Sequence, residues 1–251
     1  MTRMALIIPY RNRQAHLDSL LPHLVSYFVR DKLDRFITPV MVLAEQADTL
    51  EFNRGAVRNA GFLAIEKDVD YLCFHDVDYL PIWADYTVPD NPTGIVWWGA
   101  HERPIRVNQR DLVVKGQTKG LIGVSVMDKA QFRSVNGYSN AYWGWGFEDA
   151  DLIERFRCKG IPIDNRQGTF IPLDHDNEGF ADDGSKSPVW LRNEALFKDK
   201  AAGYAAGAYA RDGLSSFAGK TLSREVRTIH GLDGVESAEL IHLKLDLSGT
   251  R

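Results

Sequence analysis

The first seventy-five residues constrain this chain's fold more than any other part of it, because strand-length apolar runs alternate there with helical stripes. Residues 5–9 form a short apolar run ended by Pro9, the pattern of a buried strand. Leu17, Leu20, Leu21, Leu24 and Phe28 then recur at spacings of three and four, which predicts an amphipathic helix. Pro22 lies within that helix and predicts a kink or a break. Residues 39–44 (PVMVLA) read as a second buried strand. Val57, Ala60, Gly61, Ala64 and Ile65 share one helical stripe and predict a helix from about residue 53 to 67. Residues 71–75 give a third strand. This order implies an α/β fold with a mostly parallel central sheet flanked by helices.

The middle is less regular. Residues 81–117 carry four prolines and read as loops and short strands. Residues 121–127 (LIGVSVM) predict a strand and 128–135 a short helix, followed by a turn at Asn136-Gly137-Tyr138-Ser139-Asn140. Leu152, Ile153 and Phe156 predict a helix from Glu148 that stops at Gly160. Residues 177–186 (NEGFADDGSK) read as an exposed, mobile loop, and residues 201–210 match no template. Residues 238–247 alternate as a half-buried strand does. There is no internal repeat or linker, so one domain is expected.

Composition excludes little. Hydrophobic residues at 44% and charged residues at 25% are ordinary for a globular protein, and a net charge of −4 gives no reason to expect a nucleic-acid partner. No run approaches the ~18 apolar residues of a membrane span, and the N-terminal run is short for a signal peptide. No transmembrane segment is therefore expected, while a peripheral membrane contact stays open. Cys73 and Cys158 are the only cysteines. They read as reduced thiols of a cytoplasmic protein, with a single disulfide between them as the alternative.

Two acidic stretches carry the chemistry. Phe74-His75-Asp76-Val77-Asp78-Tyr79-Leu80-Pro81 follows the third strand. If that strand continues, Asp76 and Asp78 share one face at its carboxyl end, where ligands of open α/β sheets bind. Hard oxygen donors there suit a divalent ion that also grips a nucleotide diphosphate. An isolated Asp-x-Asp is common, and an acidic turn is the plain alternative. Trp143-Gly144-Trp145-Gly146-Phe147-Glu148-Asp149-Ala150-Asp151 is rarer. Glycine beside tryptophan permits a turning loop with a flat lid, and Glu148 and Asp149 fall at a helix N-terminus that favours carboxylates. A carboxylate sheltered from water there is placed to take a proton from a hydroxyl. Ordinary capping acids after aromatic packing are the rival reading.

Tyr10-Arg11-Asn12-Arg13 follows the first strand and Phe52-Asn53-Arg54 precedes the second helix. Arginines in such places can hold phosphate, and Phe52 or Tyr10 can stack on a base. His175 lies between Asp174 and Asp176, as a metal ligand or a solvated loop histidine would. Chemistry alone does not rank it above His16, His75 or His101.

Taken together these residues are familiar. The chain resembles the beta-1,4-galactosyltransferase family of inverting glycosyltransferases (glycosyltransferase family 7). The matching motifs are IIPYRNRQAHL from Ile7, FNRGAVRNAGF from Phe52, FHDVDYLP from Phe74, GVSVMDKAQFRSVNGYSNAYWGWGFEDADL from Gly123, and Asp212-Gly213-Leu214. They occur in family order over most of the chain. The resemblance implies a single GT-A type nucleotide-sugar-binding domain over residues 1–251, with a nucleotide-binding half at 1–118 and an acceptor and catalytic half at 119–251. It implies that Arg11, Arg13, Phe52 and Arg54 hold uridine diphosphate and that Asp76 contacts the nucleotide sugar. Asp78 and His175 would ligate Mn2+ (or Mg2+). Trp145 would close over the donor, Glu148 would contact donor sugar or acceptor, and Asp149 would be the general base. The chain looks like a soluble bacterial-type member, without the membrane anchor and disulfides of the vertebrate enzymes.

Three departures from the family pattern matter. Ala150 stands where many members carry an acid that holds the acceptor sugar. Pro172, Leu173 and Asp174 precede His175 where the family offers a further metal ligand, and an Asp174 oxygen would favour harder ions. Gly120 aligns near a bulky residue that crowds the donor's 2-position, so UDP-N-acetylgalactosamine joins UDP-galactose as an expected donor. The expected reaction is transfer of either sugar to a glycan acceptor such as a capsule, lipopolysaccharide or other surface glycan, forming a beta linkage. The rivals are a retaining transferase resembling the polypeptide N-acetylgalactosaminyltransferases and a catalytically decayed glycan-binding relative.

Overall fold

The computed structural model describes residues 2–30, 36–95, 105–107, 110–112, 120–166, 168–174, 179–181 and 183–250. In chain order its strands are β1 (Thr2–Tyr10), β2 (Ile37–Gln46), β3 (Tyr71–His75), β4 (Tyr79–Ala84), β5 (Thr93–Gly94), β6 (Ile105–Val107), β7 (Arg110–Leu112), β8 (Val124–Asp128), β9 (Asp164–Asn165), β10 (Gly168–Pro172), β11 (Lys220–His230) and β12 (Ser237–Asp246). Its helices are α1 (Gln14–Val25), α2 (Arg54–Ile65), α3 (Lys129–Ser134), α4 (Glu148–Cys158) and α5 (Pro188–Ala202).

Eight strands form the central sheet in the order β11-β12-β2-β1-β3-β8-β5-β9. Strands β12, β2, β1 and β3 run parallel, as do β5 and β9. The remaining pairings, β11 with β12 and β8 with both β3 and β5, are antiparallel. Strand β1 is buried from Met4 to Tyr10 because both faces of the sheet are covered. Ala5 and Ile7 face one apolar cluster, which includes Val57 and Ala60 of α2 and Leu152 and Phe156 of α4. Met4, Leu6 and Ile8 face the other, against Leu17, Leu20 and Leu24 of α1. A strand buried on both sides reads as a continuous apolar run, the pattern seen at residues 5–9.

Two expectations need correction, at Pro22 and at the end of the third strand. Helix α1 runs through Pro22 without a break and passes into a single π turn, Ser26–Arg30. An internal proline costs about 3 kcal/mol. Leu20, Leu24 and Val25, buried around it, outweigh that cost. Strand β3 ends at His75, so Asp76 and Asp78 lie on a turn into β4 rather than on a continuing strand. The Asp76 amide instead donates to Gly123 O at 2.9 Å, just before β8. The unassigned residues 201–210 hold the end of α5 and then two short 3-10 turns, Tyr204–Ala206 and Ala208–Arg211. Part of the 177–186 segment lies outside the described residues, and within it Phe180 bridges to Lys186.

Cys73 and Cys158 are both free thiols. No helix among the described residues is long and apolar enough to cross a membrane.

Candidate active site

A cleft of about 660 Å³ opens beside the turn that follows β3. Arg11, Arg13, Phe52, Arg54, Asp76, Asp78, Trp145 and Glu148 all line it, together with His16 and Asp174. Eight residues expected at the site from sequence therefore meet in one place. Asp149 lies behind the lining, nearly buried and tied to Arg54. Among these expected site residues, only His175 lies outside the described residues. Gly120 is buried near Ile122 and Gly94 and is not among the cleft's lining residues.

Each wall has a local cause. Asn53 caps α2, its side-chain oxygen accepting from the Ala56 amide at 2.9 Å. Its side-chain amide donates to Asn140 O at 2.7 Å, which ties the helix start to the 136–140 turn. The Gly144 amide donates to Phe52 O at 2.8 Å, so the tryptophan loop is anchored beside Phe52. On the far side, the β10 end is fixed by the Leu173 amide donating to Asp78 O at 2.7 Å and by His16 Nε2 donating to Asp174 O at 2.9 Å.

The approach to α4 is strained. Phe147 has φ +76°, a left-handed conformation that bulky residues rarely adopt. Trp190 and Phe197 of α5 hold its ring, with centroids at 4.9 and 5.8 Å. That turn sets Glu148 and Asp149 in the first turn of α4, where the helix dipole favours negative charge. Asn193, also on α5 and buried, donates to Trp143 O at 3.1 Å, Trp145 O at 3.0 Å and Gly146 O at 3.3 Å. The Trp145 indole leaves no room for a side chain at residue 179. A Cβ added to Gly179 would lie 2.6 Å from the ring.

The floor of the site is an ion-pair network. Arg54 reaches Asp76 at 2.7 Å and Asp149 at 2.9 Å, and also pairs with Glu148. Arg58, one helical turn further on, reaches Asp76 and Asp149 at 2.7 Å each and donates to the Tyr138 hydroxyl at 2.9 Å. Three nearly buried carboxylates thus share two guanidiniums, the pairing that makes buried charge tolerable. Burial pushes Asp76 up, but Arg54 and then Arg58 outweigh it and hold the group below the ordinary carboxylate value. For Asp149 burial wins over the same two arginines, with Glu148 and Asp76 adding to the rise, so its pKa lies above the ordinary value.

Arg58 and Asn193 are absent from the sequence reading. The signal for Arg58 was a charged residue beside Val57 on a helix that is otherwise apolar there; for Asn193 there was none.

Residues 1–88 match the N-terminal region of glycosyl transferase group 7, and residues 105–176 match the N-terminal domain of galactosyltransferase. The chain is 33% identical over 184 residues to beta-1,4-galactosyltransferase 5 of Sus scrofa, covering 70% of this chain and 44% of that protein. It is 36% identical over 164 residues to human beta-1,4-galactosyltransferase 4, covering 64% of this chain and 44% of that protein. A Lymnaea stagnalis beta-1,4-N-acetylglucosaminyl-transferase is 38% identical over 163 residues, 64% of this chain and 31% of that protein. The chain thus spans less than half the length of these relatives. Among solved structures, the catalytic domain of Drosophila beta1,4galactosyltransferase 7 with xylobiose superposes at a TM-score of 0.72, with 24% identity over 99% of this chain and 95% of that one. A mutant of that enzyme in complex with manganese, UDP-Gal and xylobiose gives 0.70 at 23% identity, over the same shares of the two chains.

The sheet, with an acidic cleft at the ends of its central strands, is the GT-A fold. The chain belongs to glycosyltransferase group 7, the beta-1,4-galactosyltransferase family.

Proposed function

We propose that the protein is a metal-dependent inverting hexosyltransferase that moves galactose from UDP-galactose to a hydroxyl of a glycan acceptor. The observation that carries this reading is the meeting of Asp76, Glu148 and Asp149 on the Arg54 guanidinium, at a cleft that Asp78 and Trp145 also line. In this reading Arg11, Arg13 and Arg54 hold the diphosphate and Phe52 the uracil. Residues 1–118 supply most of these contacts, and 119–251 supply the lid and the base.

The acceptor hydroxyl attacks the anomeric carbon from the face opposite the nucleotide. The new carbon–oxygen bond forms as the bond to the diphosphate breaks, and Asp149 takes the hydroxyl proton. Configuration passes from alpha to beta. Trp145, resting on Gly179 and Phe180, shields the reacting carbon from water.

Asp78 and Asp174 both line the cleft and are the hard oxygen donors that a Mg2+ or Mn2+ ion takes alongside phosphate. Among the described residues no group of three His, Cys, Asp or Glu side chains is placed to hold a metal ion. The family resemblance adds His175, so in this reading Asp78 and His175, with Asp174 as the further oxygen donor, would hold the ion beside the donor's phosphates. A bound ion would neutralise charge on the departing diphosphate.

The names of the Sus scrofa and human relatives support galactose, that of the Lymnaea stagnalis relative speaks for N-acetylglucosamine, and the Drosophila complex pairs UDP-Gal with manganese and xylobiose. UDP-N-acetylgalactosamine is the second donor to test. A role in polysaccharide biosynthesis and a cytoplasmic location complete the proposal; two free thiols fit a reducing compartment.

A thermal-shift panel with UDP, UDP-galactose, UDP-N-acetylgalactosamine and UDP-glucose, with and without Mn2+, tests the donor. NMR of the product linkage tests inversion. A metal-dependent shift with UDP-galactose and a beta product are expected; an alpha linkage, or no nucleotide shift in a cooperatively melting protein, would overturn the reading.

A further inference from the structure

The two arginines on the floor of the site are not equivalent. Arg54 lines the cleft with 28% of its side chain exposed, whereas Arg58 is fully buried and is not among the lining residues. Arg58 Nη1 is engaged by Asp149 and Tyr138 and Nη2 by Asp76. Its guanidinium carbon lies 5.0 Å from the Tyr138 ring centroid and 5.7 Å from that of Phe74. Nothing bound in the cleft can recruit it without dismantling that packing.

Arg54 can be recruited. Each N–H that it turns to a diphosphate is withdrawn from Asp76, Glu148 or Asp149. The charged and titratable groups that face Asp149 are Arg54 and Arg58 from α2, Glu148 from its own helix, Asp76 from the turn after β3 and, through Arg58, Tyr138. Two of these are carboxylates. Once Arg54 engages the donor, Arg58 is the cation left on Asp149 among the described residues.

We propose that Arg58 is a positioning residue, a fixed counter-charge that keeps Asp149 aimed and ionised while Arg54 binds the donor. The inference rests on the function proposed above. It also explains how a buried carboxylate can lose one guanidinium on substrate binding without taking up a proton, which would silence it as a base.

The test compares wild type, Arg58→Lys and Arg58→Met at saturating UDP-galactose, Mn2+ and acceptor across pH. Arg58→Met is expected to lower kcat at least tenfold and to move the acidic limb of its pH profile up by about one unit, the size an adjacent opposite charge confers. Its KM for the donor should change little, because Arg54 is intact. Lysine reaches one carboxylate but lacks the two-pronged fork, so Arg58→Lys should recover part of kcat and part of the limb shift.

Wild-type kcat and limb in both variants would overturn the proposal, and so would equal losses in both with an unmoved limb, the mark of packing alone. Should the variants not fold, 15N NMR of the wild-type guanidiniums decides. With UDP and Mg2+, Arg54 resonances should shift while those of Arg58 stay protected; release of Arg58 would overturn the proposal. Wild type that transfers no sugar would instead bring down the proposed function, an outcome distinct from all of these.

Discussion

Asn193 holds Trp145 by its backbone, its side-chain amide lying 3.0 Å from the Trp145 carbonyl oxygen. The same amide serves Trp143 and Gly146, so one buried group on α5 ties three of the four residues of the Trp-Gly-Trp-Gly turn. Asn193→Leu leaves buried carbonyls with fewer donors, at about 1–3 kcal/mol. A lowered Tm is expected, with a several-fold rise in donor KM and a smaller loss of kcat. Steady-state kinetics beside a melting curve check this; an unchanged KM would confine the tie to stability.

Asp149→Asn removes the proposed base while keeping the side chain's shape. General-base catalysis contributes roughly 10²–10⁴-fold, and a loss of kcat in that range is expected with UDP affinity retained. In wild type, burial sets the Asp149 pKa above the ordinary carboxylate value. Activity should therefore be full above that raised pKa and fall as pH drops through it, earlier than for a solvated aspartate. Calorimetric UDP titration alongside a pH–rate profile separates binding from chemistry.

Removing the metal, with a chelator or through Asp78→Ala, should abolish the Mn2+-dependent part of the UDP-sugar thermal shift. At a ligand concentration 100 times Kd the whole shift corresponds to about 2.7 kcal/mol, and a metal that tightens Kd tenfold accounts for about 1.4 kcal/mol of it. Persistence of the full shift in Asp78→Ala would remove Asp78 from the ligand set.

His75 links stability to pH. Its Nδ1 donates to Asp76 O at 3.0 Å, which leaves Nε2 to accept from the Tyr86 hydroxyl at 3.2 Å. Burial depresses its pKa to about 4. An unfolded histidine titrates near 6.5, so below that pH the unfolded chain binds the additional proton. Its contribution is complete above pH 6.5 and declines as pH falls towards 4, by about 3 kcal/mol in all. Urea unfolding at pH 7 and pH 4.5 should show this decline, and His75→Gln should flatten it.

The strands covered on both faces were the most legible parts of the chain. Strands β1, β2 and β3 stand out because two-sided burial writes itself as unbroken apolar sequence. Helix α2 announces itself by the apolar stripe of Val57, Ala60, Gly61, Ala64 and Ile65. Helix α5 passed unread, although Ser187 and Pro188 form a cap and first-turn pair, because it buries little of its surface. Strand β11 is mostly exposed and shows no alternation. The chemistry divides in the same way. Asp76, Asp78, Glu148 and Asp149 sit in conspicuous motifs, whereas Arg58 and Asn193 acquire meaning only when α2 and α5 are placed against those motifs. Pro22 misled because tertiary burial outweighs a local helix penalty.

Strand β12 lies parallel to β2, and its His242 meets Glu45 across 197 residues of chain. During synthesis, β2 therefore leaves the ribosome long before the strand that will satisfy its outer edge exists. The nascent polypeptide must carry an open, adhesive sheet margin until β12 has also emerged, which makes the interval in between the window for chaperone capture.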